Sequence, residues 1–131
     1  MDKSTQEMMR GYLAKAEEKL GVARRLLSQG DFEDAISRAY YAAFYAAQGL
    51  LLTEGLSSKS HGGLVSLFGL HFVKTGRIDK QYGRFLSNLL EDRQQSDYSL
   101  FSGLEKSDAE NALLEAESFV KEIQRQLKAY L

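Results

Sequence analysis

A chain of 131 residues carries 17 basic and 18 acidic side chains, a formal net charge of −1, which excludes general attraction to polyanions and confines any nucleic-acid contact to a local patch. Cysteine and proline are both absent, so a disulfide scaffold is excluded, and with helical periodicity nearly throughout an all-helical protein is expected. No linker, internal repeat, signal peptide or membrane-length apolar run divides the chain, and the expectation is one cytoplasmic domain over residues 1–131.

The first element is a long amphipathic helix. Met8, Tyr12, Ala16, Leu20, Ala23 and Leu27 recur every three or four residues, with Met9, Leu13 and Leu26 beside them and Lys, Glu and Arg between. Gln29 and Gly30 end it, and Asp31 with Asp34 three residues on resembles a capping arrangement for the next helix. The short connection predicts an antiparallel helical hairpin.

The second helix, in the stretch Asp31 to Leu52, is the expected centre of the bundle. At about 100° per residue, Phe32, Ile36, Ala39, Ala43, Ala47 and Leu50 form one apolar stripe flanked by Tyr40, Phe44 and Leu51. On the other side Asp34, Arg38, Tyr41, Tyr45 and Gln48 line up, so both faces have work to do. Its alanines allow neighbouring helices to approach closely, and its apolar run is too short and too rich in Tyr to cross a bilayer.

After a Gly- and Ser-containing loop, Ser57, Ser58 or Ser60 is placed to cap a third, shorter helix bearing Leu64, Leu67, Phe68, His71 and Phe72, which Gly76 stops. Asp79 can cap a fourth, with Tyr82, Phe85, Leu86, Leu89 and Leu90 inside and Lys80 and Arg84 outside. Ser107 with Glu110 reads as a capping box before a fifth, whose inner face is Ala109, Ala112, Leu113, Ala116, Val120, Ile123 and Leu127. The fold class expected is all-α, an antiparallel up-and-down bundle of five helices.

Among candidate sites, Arg93 stands out because it falls on the same side of the fourth helix as Tyr82, Leu86 and Leu89. A guanidinium carried inward needs a partner: either it pairs with Asp97 one turn on, or with an acid such as Asp34, or it lines a groove that binds phosphate or a partner's carboxylate. Arg38, Tyr41 and Tyr45 on the second helix have two readings as well, a stacking surface for a nucleobase or a helix or subunit contact. Lys59, Ser60 and His61 before Gly62 and Gly63 form either a capped turn or a small anion cradle. His61 and His71 face different directions on a helix and do not make a metal pair, and no Walker-type loop, nucleophile elbow or Glu-x-x-His pair of a carboxylate-bridged metal bundle occurs. No cofactor or metal is expected.

Three passages, SRAYYAAFYAAQGLL at Ser37 to Leu51, KSHGGLVSLFGLHFVKTGRID at Lys59 to Asp79 and EDRQQSDY at Glu91 to Tyr98, resemble the small stand-alone HEPN proteins of bacteria and archaea. The resemblance implies a helical bundle that forms a homodimer, often beside a small nucleotidyltransferase as a toxin–antitoxin-like pair. It also implies, for many members, a metal-independent ribonuclease whose motif is Arg, four to six residues, then His, with Arg stabilising phosphorane charge and His moving protons. Arg93 matches the arginine, but after four, five and six intervening positions stand Tyr98, Ser99 and Leu100. A phenol, with an ordinary pKa of about 10, does not shuttle protons well near neutral pH.

The expectation is therefore a subunit that binds a nucleotidyltransferase partner and a nucleotide or RNA through Arg38, Tyr41, Tyr45, His61, Arg93, Asp97 and Tyr98, without efficient catalysis. Two alternatives stand beside it: a ribonuclease in which His61 or Asp97 replaces the missing histidine, with Arg93 catalytic, and a structural dimer or adaptor without a ligand.

Overall fold

The apolar periodicities of the sequence close into five helices, seen in a computed structural model that describes residues 1–131. They are α1 (Lys3–Ser28), α2 (Phe32–Leu51), α3 (His61–Phe68), α4 (Lys80–Tyr98) and α5 (Lys106–Leu127). Short 3-10 turns follow α2 at Leu52–Glu54 and α5 at Lys128–Tyr130, and α3 runs on into a π-helical turn, Gly69–Val73.

α2 is central because its small residues let other helices come near it on several sides. Ala35, Ala39, Ala42, Ala43, Ala46 and Ala47 are all buried, interleaved with Ile36, Tyr40, Leu50 and Leu51, and α2 packs against α1, α3, α4 and α5. One hydrophobic cluster of 27 residues joins them, its bulkiest members being Tyr40 of α2 and Phe68, Phe72 and Phe119 from α3, the π turn and α5. Burying side chains of that size is worth roughly 1.5–3 kcal/mol each, which far exceeds what helix propensity alone could supply.

The ends of the helices hold three differences from the expected pattern. Asp31 begins α2 without a side-chain cap, and the hairpin is set instead by Gly30 at φ +83 and a bond from the Asp31 N–H to the Leu26 carbonyl at 2.9 Å. Gly30 satisfies the carbonyls of α1 and leaves Asp31 solvated. The capping box of α5 is formed by Glu105 and Asp108 rather than Ser107 and Glu110, so α5 starts earlier than its serine indicates. On α1, Met9 is buried and Met8 exposed, a one-residue rotation of the expected stripe near the N-terminus.

Other expected ends are present as drawn. Ser60 accepts the Gly63 N–H at 3.0 Å, and Asp79 accepts that of Gln81 at 2.9 Å. Gly76 adopts φ +79, and the Lys74 N–H reaches five residues back to the Gly69 carbonyl at 2.8 Å. No helix is long and apolar enough to cross a membrane.

Candidate recognition site around Arg93

The inward register of α4 is Leu86, Leu89, Arg93 and Ser96, all buried, so the same periodicity that drives leucines into the core carries a guanidinium with them. Arg93 is 8% exposed. Its Nε donates to Asp97 Oδ2 at 2.8 Å, one turn on, and its Nη2 donates to the hydroxyls of Tyr41 at 3.1 Å and Tyr98 at 3.2 Å. The guanidinium carbon also lies 5.4 Å from the ring centres of Tyr41 and Tyr98 and 5.8 Å from that of Tyr40. The cage thus combines an ion pair with the negative faces of three aromatic rings. Nη1 makes no hydrogen bond within the protein, which leaves one edge of the fork available.

Asp34, the other acid that could pair with Arg93, is exposed and forms no ion pair; it sits nearly two turns before Tyr41 on α2, and Asp97 takes the guanidinium instead. Burial by itself would lower the Arg93 pKa. The phenols of Tyr41 and Tyr98 and the carboxylate of Asp97 outweigh it and raise the value, so the charge is held. Ser37 joins the edge of this network at 3.5 Å from Asp97 Oδ2.

His61 enters the same cluster from α3. The turn before it is fixed by Gln48, buried on α2, which donates to the Ser58 carbonyl at 2.8 Å. Gly63 is required there: a Cβ would stand 2.5 Å from Ser60 Oγ, the atom that caps the helix. The residues expected as either cap or anion cradle therefore make a capped turn, and that turn presents His61 to the rings of Phe44, Tyr40 and Tyr41 at 4.9, 5.4 and 5.8 Å.

Tyr40 OH and His61 Nδ1 are 2.6 Å apart. Desolvation pushes the Tyr40 pKa far upward, against the pull of the Arg93 charge, so the phenol keeps its proton. Desolvation first, and then Arg93, hold the His61 pKa below its ordinary value, so the imidazole is neutral. A phenol is the stronger donor and a neutral imidazole nitrogen the stronger acceptor, which assigns the bond as Tyr40 O–H to Nδ1 and leaves the ring proton on Nε2. The basic lone pair of His61 is thereby occupied.

The remaining expected residues fall in different places. Tyr45 is half-buried and turned toward α1, stacked on Tyr12 at 6.4 Å with Lys15 5.7 Å from its ring centre, and it touches the Arg93 cluster through Phe44 at 5.5 Å and Tyr41 at 6.3 Å. Arg38 is exposed and forms neither hydrogen bond nor ion pair. The polar stripe of α2 thus runs from solvent at Asp34 and Arg38, through half-burial at Tyr41 and Tyr45, into the core at Gln48. His71 does not meet His61, and no group of three metal-binding side chains forms anywhere in the chain.

Tyr40 and Phe44 are the members that sequence periodicity assigns only to the flank of the core. The available signal is chemical: a hydroxyl within a buried apolar stripe requires a partner.

Together these features define an all-α bundle protein with an arginine–tyrosine cluster between its second and fourth helices. A match to the HEPN domain family spans residues 9–126, and the chain belongs to that family. It is 38% identical over 131 residues, covering 100% of this chain and 97% of the other, to a Methanocaldococcus jannaschii protein named "Putative toxin MJ0605". A UPF0332 protein of Thermotoga maritima is 35% identical over 111 residues, covering 85% of this chain and 84% of its own. The crystal structure of TT1696 from Thermus thermophilus superposes with a TM-score of 0.79 at 21% identity, over 91% of this chain and 98% of that one, which supports the fold alone.

Proposed function

We propose that this protein is the partner-binding component of a two-gene, toxin–antitoxin-like system in the cytoplasm. It forms a homodimer, pairs with a small nucleotidyltransferase, and takes a nucleotide or RNA phosphate at Arg93 without cutting it efficiently. The toxin-like role rests on family membership and on the names of archaeal relatives.

The observation that carries the binding reading is the state of the cluster. Arg93 is charged, preorganised by Asp97 and three tyrosines, and keeps Nη1 free, whereas the one imidazole nearby has its acceptor nitrogen engaged by Tyr40. Such a site can hold an anionic oxygen, while its imidazole has Nδ1 engaged by Tyr40 and its carboxylate, Asp97, is held by the Arg93 charge, so neither is well placed to deprotonate a ribose hydroxyl. Beside it, Tyr98, Leu100 and Phe101 are 73%, 87% and 90% exposed, and such an exposed apolar lip supports a contact with a second chain.

The test is recovery of a tagged copy from its native host at physiological level, with the mass of every component measured. A complex containing a nucleotidyltransferase supports the reading, and recovery of the homodimer alone overturns its partner component. A second reading, ribonuclease activity with His61 in place of the missing motif histidine, draws on its membership of the Arg93 cluster. It requires Tyr40 to release Nδ1 when substrate binds, and it predicts that His61→Ala abolishes cleavage of cellular RNA.

A further inference from the structure

A second surface, sharing no residue with the Arg93 cluster, lies between the π turn and the first half of α4. Here the chain forms an open groove of about 630 Å³. Three cations, Lys74, Lys80 and Arg84, stand along it, all exposed and none in an ion pair. No carboxylate lines it. Glu115, the acid that approaches its end, lies behind Asn88, whose amide donates to it at 3.5 Å.

Between the cations the surface is apolar, formed by Val65, Val73 and Leu70, the last 53% exposed. The geometry follows from two glycines and the wide turn. A Cβ at Gly83 would come within 3.1 Å of Val73, so its absence lets α4 close on the π turn, while Gly69 leaves open space above its backbone. π-helical turns are rare and are frequently found at functional sites.

We propose that this groove docks an acidic amphipathic segment of a protein partner, a helix with Leu- or Ile-type side chains on one edge and Glu or Asp on the next. Its apolar edge seats on Leu70 and Val73, and its carboxylates face Lys74, Lys80 and Arg84. Charge decides the sign of the occupant and the exposed leucine decides its class. A single-stranded nucleic acid needs rings on which to stack its bases, and no aromatic residue lines the groove. An aliphatic patch flanked by cations is complementary to a peptide that carries both kinds of side chain.

The experiment is an amide NMR titration of the full chain with three probes: a synthetic helical peptide of Leu and Glu in amphipathic order, a shuffled peptide of the same composition, and an oligouridylate. The ordered peptide is expected to move the amides of Gly69, Leu70, Gly83 and Arg84. Charge reversal at Lys74, Lys80 and Arg84 to Glu is expected to weaken it by at least ~10-fold, as is Leu70→Asp, the fold surviving because these side chains are exposed. Equal binding of the shuffled peptide, preference of those amides for the oligouridylate, or no movement of them with any probe would each overturn the proposal. Arg93→Ala leaves this titration unchanged, which separates the groove from the function assigned to the cluster.

Discussion

Replacing Arg93 by Ala removes a buried cation together with every contact it makes, and the loss can be worked from its partners. The bond to Asp97 at 2.8 Å is charge-assisted, a type worth about 1.5–3 kcal/mol, and each cation–π contact adds roughly 0.5–1 kcal/mol. Against this, the Asp97 side chain is 30% exposed and Tyr98 73% exposed, so both rehydrate when the guanidinium leaves. Tyr41, half-buried, recovers less.

The net cost is therefore about 2 kcal/mol, below the 3–5 kcal/mol typical of breaking a fully buried pair. In a chain of this length that lowers Tm by roughly 6–8 °C. Urea and thermal unfolding of the wild type, Arg93→Ala and Arg93→Lys measure it. Lysine keeps the charge without the planar fork and should lose about half as much. A change under ~0.5 kcal/mol in Arg93→Ala would show that the tyrosine cage does not hold the guanidinium in solution, because that is the range of an ordinary surface substitution.

Further predictions concern the groups around this core. Histidine NMR should place the His61 pKa below the ordinary value of about 6.5 and show it rising in Arg93→Gln, since that charge is one of its two causes; an unchanged value would separate the two residues. Glu115 carries an upward-shifted pKa from burial, opposed by Asn88 and reinforced by Asp92, and one of its oxygens is buried without a partner. The folded protein then binds that proton more tightly than the unfolded chain, so stability falls as pH rises from the ordinary carboxylate range through the folded pKa. Glu115→Gln should raise stability by about 0.5 kcal/mol at pH 7, with the gain shrinking toward pH 4, as followed by unfolding at each pH. Arg77 joins three regions by donating to Thr53 at 3.1 Å, Glu54 at 3.0 Å and Tyr130 at 3.1 Å while stacking on Phe72 at 4.9 Å. Arg77→Ala should cost about 1–2 kcal/mol in urea unfolding and speed amide exchange in Lys128–Tyr130, the turn its side chain holds.

Much of the fold was legible because helical periodicity reports burial directly. The leucine spacing of α4 predicts that Arg93 points inward, and it does, since no backbone device intervenes between Leu86 and Arg93 to shift the register. Helix ends were less legible. They depend on which of several adjacent polar residues wins the N–H groups, as Glu105 and Asp108 do over Ser107 and Glu110. The π turn after Phe68 has no sequence signal distinct from a continuing α-helix, so the groove beside it is visible only in three dimensions.

The cluster was half legible. Arg93, Tyr41, Asp97 and Tyr98 meet through local spacing and the pairing of α2 with α4. Tyr40 was hidden among core residues, and His61 arrives at the first position of α3, where the preceding turn is held by Gln48 and the cap requires Gly63, contacts that no one-dimensional pattern encodes. Arg38 shows the converse: one helical face need not keep one environment along its length, and it remains in solvent while Tyr41, three residues on, is drawn under α4.

The most direct test of the account is a single time course in which purified wild-type, Arg93→Ala and His61→Ala proteins are each incubated with end-labelled single-stranded RNA, with anisotropy and strand length read from the same samples. A phosphate-binding cage without a free base predicts that RNA is bound by the wild type, bound at least ~10-fold more weakly by Arg93→Ala, and left at full length by all three. Shortened RNA that appears with the wild type and disappears with both Arg93→Ala and His61→Ala would contradict it and make the imidazole a working proton shuttle.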